Sequence, residues 1–112
     1  MNDKDTQILR HIIEYCNNIE NSILRYGDSL CIFENDVDYF QSISMSILQI
    51  GELSINLSEE FKSLHNNIPW TGIRGMRNIF AHKYGKIKKD VVWGIVKEDI
   101  PVLSSFCKKY AK

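Results

Sequence analysis

Arg77, Asn78, His82 and Tyr84 fall within eight residues, Arg77-Asn78-Ile79-Phe80-Ala81-His82-Lys83-Tyr84. A guanidinium holds phosphate oxygens and an imidazole moves protons near neutral pH, and here a phenol is packed beside both. The surroundings favour anions. From Phe61 to Lys89 the chain carries Lys62, Arg74, Arg77, Lys83, Lys86, Lys88 and Lys89 without one Asp or Glu. Such a segment points to a site that handles phosphate.

The formal net charge of zero conceals this polarity: residues 1–60 carry a net charge of −8, residues 61–89 of +7 and residues 90–112 of +1. Charge asymmetry of this size hints at a nucleic-acid or other anionic partner. The alternative is that the acidic half folds back over the basic half and the two fields cancel locally.

Several function classes drop out. Cys16, Cys31 and Cys107 are odd in number and widely spaced, which fits reduced thiols in a cytosol rather than a disulfide framework. No Cys-x-x-Cys or His-x-x-x-His spacing offers a zinc site. His11 and Glu14, three apart, read as a surface contact rather than a metal site. There is no Gly-rich phosphate loop and no nucleophile elbow, so no metal and no cofactor is expected. The polar, acidic start is neither a signal nor a transit peptide, and no stretch approaches the roughly 20 apolar residues of a membrane span. A soluble, cytoplasmic protein is expected, with residues 1–112 as one domain.

Helices must position the motif. Ile8, Leu9, Ile12, Ile13, Ile19, Ile23 and Leu24 follow a 3.6-residue period after the capping candidates Asp3, Asp5 and Thr6, giving a first helix that ends near Gly27. A turn follows. Asn35-Asp36-Val37-Asp38 caps a second helix that runs to Leu57, and Ser58-Glu59-Glu60 starts a short one. Pro69 opens the next helix, Trp70 to about Tyr84, stopped by Gly85 in the left-handed C′ position. A last helix begins at Asp90 and is kinked or divided by Pro101. The fold class is therefore all-α, an up-and-down bundle of four or five helices.

On the wheel of the motif helix, Ile73, Met76, Ile79, Phe80 and Tyr84 form one apolar arc for the core. Arg74, Gly75, Arg77, Asn78, Ala81 and His82 fill the opposite, polar face. Gly75 and Ala81 let another backbone or a ligand approach closely there. Each group also has a plain structural role open to it: a solvated arginine, a histidine complementing a helix C-terminus, a tyrosine packed with its hydroxyl wet.

Arg77-Asn78-x-x-Ala81-His82-x-Tyr84, with Gly75-Met76 before it, is flanked in order by Ile50-Gly51-Glu52-Leu53, Leu57-Ser58-Glu59-Glu60, Ile68-Pro69-Trp70 and Val91-Val92-Trp93. Together these elements resemble the HepT toxin family of the HEPN superfamily, from about Asp36 to Trp93. The resemblance implies a metal-independent ribonuclease, the toxin of a type VII toxin–antitoxin system, folded as an all-α homodimer whose two motif helices face each other across a cleft. It implies Arg77 and His82 as the catalytic pair, and Asn78 as a supporting polar residue. It further implies Tyr84 as the residue to which a partner nucleotidyltransferase antitoxin of the MntA type attaches AMP. Lys83 departs from the family pattern, where Asp is common, which bears on how the antitoxin meets this loop.

The residue chemistry fits cleavage of RNA: a base for the ribose 2′-OH, cations for charge on the phosphorane-like transition state, and an acid for the leaving 5′ oxygen. His82 supplies the titratable group. Arg74 and Arg77 hold phosphate, with Lys83 and Lys86 adding positive field to the RNA path. Two alternatives stand beside this: a catalytically inactive HEPN bundle that binds a nucleotidyltransferase and its nucleotide, and a helical interaction module whose basic loop docks an acidic protein.

Overall fold

The computed structural model describes residues 2–111. Nine segments follow in order, all of them helical among the described residues. They are α1 (Asp3–Tyr26), α2 (Leu30–Asn35), α3 (Val37–Ile55), α4 (Glu59–Leu64), α5 (Trp70–His82), a 3₁₀ turn (Tyr84–Lys86), α6 (Lys89–Gly94), a π-helical stretch (Ile95–Asp99) and α7 (Ile100–Tyr110). The last three run on without a break. α3 packs against both α1 and α5, and α7 packs against α1. The expected all-α bundle, with four long helical segments, is what the chain forms.

The apolar stripes account for this packing. Ile8, Leu9, Ile12, Cys16 and Ile19 from α1 meet Tyr39, Ile43, Ile47 and Ile50 from α3 in one buried cluster, which Val96, Ile100, Leu103 and Cys107 complete. At about 25 cal/mol per Å² of apolar surface removed from water, such a cluster is the main force holding the helices together.

Local chemistry sets the ends. Asn2, rather than the expected Asp3, Asp5 or Thr6, caps α1: its side-chain oxygen accepts from the Asp5 N–H at 2.7 Å. Asp5 is instead buried, its carboxylate accepting from the Ser58 N–H at 2.9 Å and the Ser58 hydroxyl at 2.6 Å. Burying a carboxylate is costly unless it is hydrogen-bonded, and here Ser58 satisfies it while also capping α4. Gly27 ends α1 with φ +124, a conformation open to glycine, as its place after the stripe foretells. Asp36 and Ser58 cap α3 and α4 as expected, accepting from the N–H groups of Tyr39 and Phe61.

Two features depart from expectation. The turn after Gly27 contains α2, whose buried Phe33 sits among the rings of Tyr39, Phe40 and Trp93. Pro101 does not interrupt the last helix with a gap, but the helix is divided beside it by a π-helical stretch, a milder form of the expected division. The proline occupies the first turn of α7, directly after that stretch. A proline ring clashes with the carbonyl four residues back and offers no N–H, and the wider π turn gives that carbonyl room.

Candidate functional site

Pro69 precedes α5, where a missing N–H costs nothing, and the Trp70 indole N–H donates to the His65 carbonyl at 3.0 Å, so the start of the helix is pinned from both sides. Phe80 is buried, and Ile73 and Met76 are half-buried against the core. Ile79, expected in the core arc, is 46% exposed.

The inward face of α5 is rotated toward Arg77. At about 100° per residue Arg77 lies roughly 40° from Ile73, next to the apolar arc rather than opposite it. Arg77 is half-buried and presses on α3 at Gly51, where a Cβ would come within 2.6 Å of the Arg77 Cβ and 2.9 Å of its Cγ. Only glycine allows this approach. The next residue, Glu52, brings a carboxylate oxygen to 3.5 Å from the Arg77 Nε. That distance makes an ion pair without a formed hydrogen bond, and the buried Nε has no other partner among the described residues.

α5 ends two residues earlier than expected. Lys83 leaves helical space at φ −131, ψ 36 while its N–H still reaches the Ile79 carbonyl at 2.8 Å. The 3₁₀ turn Tyr84–Lys86 follows, and Gly85 adopts no left-handed conformation. The stop comes from Lys83 and the tightened turn. Tyr84, placed in this turn, sets its ring edge-on to Phe40 at 5.7 Å between centroids while 37% of the residue stays exposed.

Arg77, Asn78 and His82 thus share α5, Arg74 stands one turn before them, and Lys83, Tyr84 and Lys86 follow directly on the turn. Arg74, Asn78, His82, Lys83 and Lys86 are exposed, so an imidazole and several cations face solvent around one anchored guanidinium. Two other cations of the basic segment are engaged. Lys89 Nζ donates to the Glu34 carbonyl at 3.1 Å and lies 5.1 Å over the Phe40 ring. Lys62 pairs with Glu59 at 3.1 Å. No group of three or more His, Cys, Asp or Glu side chains among the described residues is arranged to hold a metal ion. His11 contacts Glu14 at 3.6 Å on the exposed surface of α1. No described helix is long and apolar enough to cross a membrane.

Gly51 and Glu52 belong to this site, yet sequence reasoning weighed them only as motif flanks. The available signal was a glycine in the interior of a strongly apolar helix, which costs roughly 0.5–1 kcal/mol relative to alanine and so marks a close approach.

Comparison with known proteins gives the chain relatives. The "Putative RNase MJ1380" of Methanocaldococcus jannaschii is 34% identical over 70% of this chain and 81% of its own length. The "Putative RNase TTE0752" of Caldanaerobacter subterraneus is 30% identical over 90% of this chain and 88% of its own. The "Probable ribonuclease HepT" of Thermococcus cleftensis is 43% identical over 56% of this chain and 57% of its own. No solved structure gives a significant match. The profile of the Ribonuclease HepT-like family aligns with residues 12–110, from the middle of α1 to the end of α7 and across every element that carries the motif, so the chain belongs to the HepT-like family of HEPN helical bundles.

Proposed function

We propose that the protein is a metal-independent endoribonuclease, the toxin of a toxin–antitoxin pair, with Arg77 and His82 as its catalytic residues. The observation that carries this is the anchoring of Arg77: Gly51 admits it against α3 and Glu52 faces its Nε, so the two terminal nitrogens remain for a phosphate. His82, at the exposed end of the same helix, takes the proton from a ribose 2′-OH. The 2′ oxygen attacks phosphorus, Arg77 offsets charge on the phosphorane-like state, and the 5′ oxygen leaves as it gains a proton. The products are a 2′,3′-cyclic phosphate and a 5′-hydroxyl. Asn78, Arg74, Lys83 and Lys86 hold the RNA.

The imidazole stands in solvent, so a second copy of the chain is the natural source of the acid that protonates the leaving oxygen. Gly75 leaves open space where a side chain would stand, and Ile79 exposes an apolar side chain on the same helix. Both suit two α5 helices facing each other in a homodimer. Tyr84 is the control point: its ring is held by Phe40 while the residue remains reachable, so a nucleotidyltransferase antitoxin attaches AMP there. The added anion covers the cations of the cleft.

Single-stranded RNA incubated with wild type and His82→Ala in excess EDTA tests the proposal. Wild type is expected to cut and His82→Ala to fail while still binding RNA. Activity lost to chelator and restored by magnesium overturns the metal-free mechanism. A His82→Ala rate within threefold of wild type, a loss below about 1 kcal/mol, overturns the role of His82. RNA left intact by wild type favours the nucleotide-binding bundle instead.

A further inference from the structure

Toward the start of α5, away from His82, the surface sinks into an open cleft of about 440 Å³ between the last turn of α3, α4 and the first turn of α5. We infer that this cleft is a base-binding subsite for the RNA, seating one unpaired nucleobase upstream or downstream of the cut. This rests on the ribonuclease reading above and adds to it a place where sequence preference is set.

The walls match the occupant. Trp70 lines the cleft, its indole N–H committed to the His65 carbonyl at 3.0 Å and its ring braced by Phe61 and Phe106 at 6.3 and 6.0 Å between centroids. A ring fixed in this way is a ready wall for a planar heterocycle, and unpaired RNA bases are commonly bound by stacking on aromatic side chains. Ser63, Asn66 and Thr71 add hydrogen-bond donors and acceptors for a base edge, and the volume lies in the range of small-molecule sites.

Charge separates a base from a bare phosphate here. Lys62 spends its ammonium on Glu59 at 3.1 Å and the Ile55 carbonyl at 3.5 Å, so the interior offers no unpaired lysine to an anion. Arg74 is exposed at the mouth, three residues and about 4.5 Å of helix rise before Arg77, where it meets the backbone linking the cleft to the catalytic pair. Trp70 lies 12 residues before His82, about 18 Å along the helix, a span that only an oligonucleotide covers.

The test uses Trp70 emission in full-length His82→Ala, Trp93→Phe protein, which leaves RNA uncut and one indole to read. Single-stranded RNA octamers are expected to quench it, and AMP at the same nucleotide concentration is not. In parallel, on otherwise wild-type protein, Arg74→Ala is expected to raise KM for octamer cleavage about tenfold, and Asn66→Ala to change the base preferred at one position beside the cut. Cleavage that depends on His82 with no quench and an unchanged preference overturns the subsite while leaving the ribonuclease intact. Equal quenching by AMP overturns it in favour of a free-nucleotide site. Quenching by RNA without wild-type cleavage upholds the subsite and removes the nuclease.

Discussion

Glu52 lies 3.5 Å from Arg77 and is about half exposed, so the pair contributes no more than about 1 kcal/mol to stability. On the reading proposed above, its use is to aim a guanidinium whose Nε has no other partner among the described residues. Glu52→Gln keeps the shape and removes the charge, so kcat/KM for RNA cleavage is expected to fall two- to fivefold, chiefly through KM, whereas Arg77→Ala falls much further. Steady-state kinetics on one oligonucleotide checks this, and an unchanged KM would deny Glu52 its aiming role. The lysines after the motif divide in a comparable way. Lys86 and Lys88 are exposed, and each, changed to Ala, is expected to lower the salt dependence of RNA binding by about 0.7 in log–log slope. Lys89 is tied to Glu34 and Phe40, so Lys89→Ala is expected to lower the melting temperature.

At the scale of elements, the contact of α3 with α5 turns on Gly51. Gly51→Ala is expected to destabilise the fold by about 1–3 kcal/mol even though alanine is the better helix former, because the added carbon meets the Arg77 stem at 2.6 Å and the helices must part. Denaturant unfolding measures the loss, and a stabilised variant would show that the approach relaxes freely. The same contact marks where legibility ended. Gly27, Asp36 and Ser58 were readable because a cap depends on residues two or three positions away. The stripes of α1 and α3 were readable because burial repeats along them. The motif, with its basic surroundings, stood out in the chain itself. The inward turn of Arg77 was not readable, because it depends on a gap in a helix some 26 residues earlier. Gly85 misled for a related reason: Lys83 closes α5 before the glycine is reached. α2 was missed because six residues hold too little periodicity to register.

Across the whole molecule, burial sorts the three cysteines. Cys31 is exposed, while burial pushes the Cys16 thiol up to about 11 and the Cys107 thiol up to about 12 from an ordinary value of 9.0. At pH 8 a thiol reagent is therefore expected to modify one cysteine quickly in the native protein and three after unfolding. A raised thiol pKa adds stability below pH 9 that is lost as pH climbs through about 11 for Cys16 and about 12 for Cys107, since the unfolded chain releases those protons first. A melting temperature that falls over that interval, measured by calorimetry, is the expected sign.

α1 finds part of its cover in α7, and among the described residues the Asp5 carboxylate accepts from Ser58, 53 residues on. On the ribosome, then, α1 emerges with an apolar stripe that α3 covers first, and its cover stays partial until α7 has also left the exit tunnel. The nascent chain is therefore expected to close in order, α1 on α3 first and on α7 later.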